Sequence, residues 1–225
     1  MGCNQCFHNR PGAFYVPIDQ PHIPTPEEVG DGIVRMNCGH DSNIQREKVI
    51  DVAETYTQFF FNTSIPRFSF PGPVVLTANP KEEEKARYAY PDFHHGDWYS
   101  PAKNLMFVRF RTSATNLELV DQAVTAWTAA RVPCVITFMS YYDKMPQVSA
   151  EVLVGVGPPE KCYEWRVRHI NSYYCPTKDF QRFVMARYQN NRLVSMCSSI
   201  NSAYCRDCRN CETHYLQVMK HLRGE

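Results

Sequence analysis

The stretch 105–139 reads L-M-F-V-R-F-R-T-S-A-T-N-L-E-L-V-D-Q-A-V-T-A-W-T-A-A-R-V-P-C-V-I-T-F-M. Its first part is an apolar run interrupted at Arg109 and Arg111, a spacing that a strand accommodates by turning alternate side chains to opposite faces. Asn116 stands where a helix would be capped, and Val120, Ala123, Val124 and Trp127 recur at the intervals of one helical face. Val132-Pro133 makes a short connection, and Cys134 opens a second, continuously apolar run of the buried-strand type. Strand, helix, strand at these lengths predicts a parallel βαβ unit.

The same rhythm extends in both directions. Upstream, 33–38, 59–64 and 74–79 read as strands with polar ends. Between the first two, Ser42 and Gln45 have capping-box spacing ahead of Val49, Ile50, Ala53 and Tyr56 at helical intervals. Downstream, 163–170 alternates like a strand, Thr177 begins a helix carrying Phe180, Phe183, Val184 and Tyr188, and 193–196 forms a last strand. The Pro-punctuated residues 1–30 predict an extended surface loop, with a short helix start at Pro26 capped by Thr25. The charged, aromatic segment 80–103 predicts a helical turn and an irregular loop, in which His94-His95 read as loop histidines. Residues 144–160 resemble an insertion with a small helix or strand.

Polar residues gather where these strands end: Asp41, then Asn62 and Thr63, Thr77 and Asn79, Arg109 and Arg111, Thr137, Arg168 and His169, and Cys197. In a barrel such ends converge on one face, where barrel enzymes keep their chemistry. The expectation is therefore an α/β chain forming a partial (β/α) barrel of about six βα units over 1–196, followed by a Cys-rich segment over 197–225. Arg109 and Arg111, if turned into the mouth, would suit a carboxylate or phosphate. Tyr141-Tyr142 and Tyr173-Tyr174 would stack on a substrate or line the rim, Cys134 reads as core, and Cys162 and Cys175 as either metal ligands or inert thiols.

The cysteine-rich segment reads C-S-S-I-N-S-A-Y-C-R-D-C-R-N-C over 197–211. Cys205, Cys208 and Cys211 stand two residues apart from one another, and Cys197 lies a short loop upstream. A C-x2-C-x2-C run lets thiolates converge on one point, as in ferredoxin-type segments that hold a 4Fe-4S iron–sulfur cluster. Structural zinc more often uses two separated knuckles or Cys/His pairs, so the triple run leans toward iron, with zinc, disulfides or unligated thiols as the alternatives.

Lys+Arg number 24 and Asp+Glu 23 in the 225 residues, so no global field draws the chain to nucleic acid or membrane. Residues 176–225 are locally basic, with Lys178, Arg182, Arg187, Arg192, Arg206, Arg209, Lys220 and Arg223 against Asp179, Asp207, Glu212 and Glu225. A basic rim there would suit nucleic acid. Ten cysteines without a charged-then-apolar leader point to metal-bound thiols in the cytoplasm, and no apolar run has the length of a membrane helix. The phosphate-loop, dinucleotide, nucleophile-elbow and H-E-x-x-H motifs are absent, and Gly155-Val156-Gly157-Pro158 is too short for a phosphate loop.

Cys3-x2-Cys6-Phe7 with Gly12, the run from Arg35 to Asp41, and the closing cysteine set together resemble the radical SAM superfamily, and most closely the radical-SAM-like proteins of phages and bacteria. The resemblance implies that Cys3 and Cys6 help hold the cluster that reductively cleaves S-adenosylmethionine. It places Cys38, His40 and Asp41 near the methionine part of that cofactor, and makes Cys197, Cys205, Cys208 and Cys211 the ligands of an auxiliary cluster. The superfamily motif is C-x3-C-x2-C; its first cysteine would fall before Met1, so either a start upstream supplies it or Cys38, His40 or His8 takes its place. The functional expectation is an iron–sulfur enzyme modifying a substrate that the sequence does not name, with a nucleotide or nucleic acid suited to its aromatic and basic features. The alternative is a non-catalytic, zinc-stabilised barrel that binds a protein or nucleic acid.

Overall fold

Runs rich in β-branched and aromatic residues build one curved sheet in the computed structural model, which describes residues 23–36, 41–79, 102–142, 144–167, 172–202 and 205–225, with backbone alone at 205 and 206. Its strands are β1 (Val34–Arg35), β2 (Phe59–Thr63), β3 (Val74–Ala78), β4 (Leu105–Thr112), β5 (Cys134–Phe138) and β8 (Val194–Met196). They lie in the order β1-β2-β3-β4-β5-β8, every neighbouring pair is parallel, and the sheet curls into a half-barrel. The expected α/β partial barrel is thus present as a six-stranded parallel half-barrel.

One strand of the reading belongs elsewhere. The run 163–170 gives β6 (Tyr163–Arg166), which pairs antiparallel with β7 (Tyr173–Pro176) in a separate ribbon. Period-two alternation identifies a strand without naming its sheet. The connection over 167–172 is too short for a parallel crossover, which leaves antiparallel pairing as the accessible geometry. Tyrosines 141 and 174 make a bridge that ties this ribbon to the end of β5, and Trp165 packs on Tyr174 with ring centres 4.7 Å apart.

The crossovers are also less regular than a repeated βα unit. Helix α2 (Arg46–Ala53) joins β1 to β2 and α3 (Leu117–Ala129) joins β4 to β5. The passage from β5 to β8 holds α4 (Ala150–Gly155), α5 (Pro159–Cys162), the ribbon and α6 (Lys178–Ala186). The passage from β2 to β3 carries no helix, because Pro66, Pro71 and Pro73 punctuate its ten residues. It covers the sheet as an irregular strap instead. Phe70 stacks on Phe61 at 4.4 Å, the Arg46 guanidinium lies 4.2 Å over Phe70 and donates to the Ser69 carbonyl, and Asn104 donates to the carbonyls of Phe68 and Gly72.

Helix starts follow the sequence where the cap is exposed and depart from it where the residue is buried. Thr25 caps α1 (Pro26–Val29) in a capping box with Glu28, and the Thr177 hydroxyl accepts from the Phe180 N–H. Ser42, by contrast, does not cap α2, which begins after Gln45 in a left-handed conformation without a side-chain cap. Ser42 is fully buried and extends the β2 edge: its N–H donates to the Asn62 carbonyl at 2.9 Å and its hydroxyl accepts from the Asn62 N–H at 3.2 Å. Asn116 likewise serves its loop, accepting from the Ser113 N–H and donating to the Arg111 carbonyl. A buried strand end has no water to fall back on, so its hydrogen bonds take precedence.

The two faces of the sheet are covered unequally. The convex face buries Phe61, Leu76, Val108, Phe110 and Ile136 beneath residues such as Ala53, Val120, Trp127, Phe180 and Val184. The concave face carries Phe60, Val75, Met106, Phe107 and Val135, and the tail crosses it. After α7 (Cys205–Cys208), residues 210–223 form α8 (Asn210–Arg223), a fourteen-residue helix whose Tyr215 is buried against that face with Cys211, Val218 and Met219 beside it. The cysteine spacing had drawn attention from the helical periodicity of 211, 215, 218 and 219, and this element was not anticipated. No helix among the described residues is long and apolar enough to cross a membrane.

Candidate functional site

Alternation along the strands decides what enters the concave face. In β4, Val108 and Phe110 point into the convex core, so Arg109 between them must point the other way. The register then sets Thr77, Arg109, Val135 and Ser195 side by side across four strands, with Arg111 beside Thr137 in a row further along. Between this row and the start of α8 lies a cavity of about 600 Å³, within the range of small-molecule sites. Arg35, Phe60, Phe107, Arg109 and Val135 form its floor.

The tail supplies the facing wall. The Cys197 N–H donates to the Ile136 carbonyl at 2.8 Å, which carries the β5–β8 ladder one residue beyond β8. Ser198 then takes a left-handed conformation, with φ 70°, and the chain turns off the sheet. Asn210 fastens the start of α8 to β8, donating to the Met196 carbonyl at 2.7 Å and to the Ser195 hydroxyl at 3.2 Å. The Cys208 thiol lies against the same Met196 carbonyl at 3.8 Å. Cys197, Cys208 and Cys211 consequently line one cavity, although they come from both sides of a loop.

Cys205, the fourth expected ligand of this set, has its backbone in α7 and its side chain outside the described residues, and Cys3, Cys6, Cys38 and His40 lie outside them altogether. Among the described residues, no three Cys, His, Asp or Glu side chains are grouped closely enough to hold one metal ion. Asp41 is described, and its carboxylate is engaged with the protein. One oxygen accepts from the Asn43 N–H and the Thr63 hydroxyl, and the other from the N–H and hydroxyl of Ser64, all within 2.9 Å. Its visible work is to clamp the end of β2.

Three polar groups on the concave side of the sheet are buried without a hydrogen-bond partner among the described residues. They are Nε and Nη2 of Arg109, Oγ1 of Thr137 and Oδ1 of Asn62, whose Nδ2 donates to the Met36 carbonyl at 3.0 Å. Arg109 lies on the cavity side because its neighbours Val108 and Phe110 face the convex core. Near it, His214 of α8 lies 5.2 Å from the Phe107 ring, and its burial depresses the imidazole pKa below the ordinary 6.5, against the smaller opposing effect of its hydrogen bond with Gln217. His214 was not among the residues singled out from the sequence.

Other candidates lie away from the cavity. Cys134 is fully buried in the convex core, and burial pushes its thiol up to about 12, so it is an inert packing residue. Cys162 is buried in the same core, its thiol also raised by burial. Tyr141 and Tyr163 meet edge-on at 5.7 Å, Tyr142 and Tyr173 at the same separation, and the Tyr163 hydroxyl accepts from the Ala114 N–H, so these rings build the ribbon junction. Gly155 ends α4 against Phe183, where a side chain would overlap that ring. In the basic region, Arg182 pairs with Asp179, Arg187 with Asp121 and Glu151, and Arg209 with Glu212. The segment 80–101 with His94-His95, and the expected strand end at Arg168 and His169, lie outside the described residues.

Fold and site together define a class: a parallel α/β half-barrel whose concave face holds a cavity lined by arginines and thiols. No family model, curated protein or solved structure matches the chain.

Proposed function

We propose that this chain is an iron–sulfur protein of radical SAM type that modifies a small or nucleotide-like substrate at the concave face of the half-barrel. The observation that carries the reading is that Cys197, Cys208 and Cys211 line one cavity of a parallel half-barrel. Thiols are soft donors of the kind iron–sulfur clusters take. Holding a cluster there would use Cys197, Cys208 and Cys211 with Cys205, and would have Cys208 exchange the Met196 carbonyl for metal. A cluster of the S-adenosylmethionine type, with Cys3 and Cys6 among its ligands, supplies the electron for reductive cleavage of that cofactor. The protein's part would be to seat the substrate against Phe60 and Phe107, to neutralise its charge with Arg109, and to keep water from it with α8.

A zinc-stabilised binding half-barrel is the second reading. It is favoured by the seating of α8 on the sheet through Tyr215, since a metal at Cys197 and Cys208 would staple that helix in place. Metal and sulfide analysis with an absorption spectrum, on protein purified without oxygen, separates the two. Iron with matching sulfide and a broad visible band is expected, followed by turnover of S-adenosylmethionine under reduction. One zinc and no visible band would end the iron reading. The Cys208→Ser variant is expected to lose most of the bound metal under either; a variant that keeps its metal would remove this cysteine set from the site.

A further inference from the structure

We infer that the concave cavity binds an anionic ligand, a small organic phosphate or carboxylate with a flat apolar body, and that Arg109 grips its anionic group. Arginine guanidinium groups in proteins do not relieve burial by losing a proton. The Nε and Nη2 of Arg109 are nevertheless buried with no partner among the described residues. Buried donors left unpaired are costly, and these two nitrogens form the side-on edge of the guanidinium, whose parallel donors match two oxygens of a carboxylate or phosphate.

The rest of the cavity agrees with this charge and shape. Arg35, Arg109 and Arg209 line it against Asp31 and Glu212, and Glu212 is taken up by Arg209. The first residues of α8 line it too, and the amino end of a fourteen-residue helix favours negative charge. Phe60 and Phe107 offer flat apolar walls, and the Arg109 guanidinium carbon stands 5.7 Å from the centre of the Phe107 ring. The inference rests on Arg109, Phe60 and Phe107, and Cys197, Cys208 and Cys211 line the same cavity.

Calorimetric titration of the full chain with uridine monophosphate and with benzoate, each beside its neutral counterpart uridine or benzamide, tests it. One charged probe should bind while its neutral counterpart does not; uridine monophosphate would assign a phosphate and benzoate a carboxylate. Arg109→Met should weaken that probe about ten- to a hundredfold. The same variant should raise the Tm of the ligand-free chain by a few degrees, because two buried donors without a partner give way to an apolar side chain of similar length. Arg109→Lys keeps the charge and loses the fork, and should bind less tightly than the native chain. Equal binding of charged and neutral probes, no binding of either charged probe, or a lowered Tm in Arg109→Met would each overturn the assignment. Because binding is read without turnover, its failure leaves the iron reading intact, and absence of iron leaves the binding result intact.

Discussion

The two faces of one sheet differ more than any two elements of the molecule. On the convex face, alternate residues of β2 to β5 meet helices and a proline-rich strap, and the result is apolar and closed. On the concave face, the intervening residues of the same strands include Asn62, Arg109 and Thr137 with polar atoms buried and unpartnered among the described residues, and the tail gives partial cover. Burial of the apolar side chains stabilises the fold on both faces, but the unpartnered polar atoms of the second do not. Unpaired buried polar groups are uncommon in native proteins and concentrate where a ligand or solvent is expected.

Mutations that exchange the properties of the faces test the contrast. Phe110→Ala, in the convex core where Phe110 is fully buried, should cost about 3–5 kcal/mol in urea unfolding. A loss below 1 kcal/mol would mean that this face is not the principal core. Tyr215→Ala removes the side chain that seats α8 on the concave face, where it is 3% exposed and hydrogen-bonded to the Phe59 backbone. The expected loss is smaller, about 2 kcal/mol, with faster proteolysis confined to the tail. Unfolding of the whole sheet in this variant would show that α8 is integral to the core and would erase the distinction between the faces.

The smallest effect concerns His214. Burial opposes its charged form, so its folded pKa lies below the ordinary 6.5. On acidification the unfolded chain takes up a proton that the folded chain resists, and the corresponding stability is fully present above about pH 6.5 and declines as pH falls toward the folded pKa. His214→Gln should flatten that part of the stability profile. An unchanged slope would mean that the imidazole is as well solvated in the folded chain as in the unfolded one.

Much of the sheet was legible because its signals are local. The apolar runs at 59–64, 74–79, 105–111 and 134–139 became β2 to β5, and the helical face at 120, 123, 124 and 127 became the buried side of α3. The strand at 163–170 was visible while its sheet was not, since alternation is a property of one chain segment and pairing a property of two. Ser42 was misread for a related reason. A capping-box pattern describes what a side chain can do in isolation, and burial at the edge of β2 gave it a stronger claim.

The candidate site divides in the same way. Sequence by itself determined the donors: the thiols of Cys197, Cys208 and Cys211, their close spacing, and an arginine at 109 set between apolar neighbours. It also determined that Arg109 and Val108 would face opposite sides, because successive side chains on a strand must. Only the tertiary structure decided which side was the cavity, that α8 would form its wall, and that Nε and Nη2 of Arg109 would be buried there without a partner among the described residues. Those facts depend on contacts between β4 and a helix a hundred residues further along the chain, and the free energy of such contacts is fixed by the geometry of folding rather than by any local pattern.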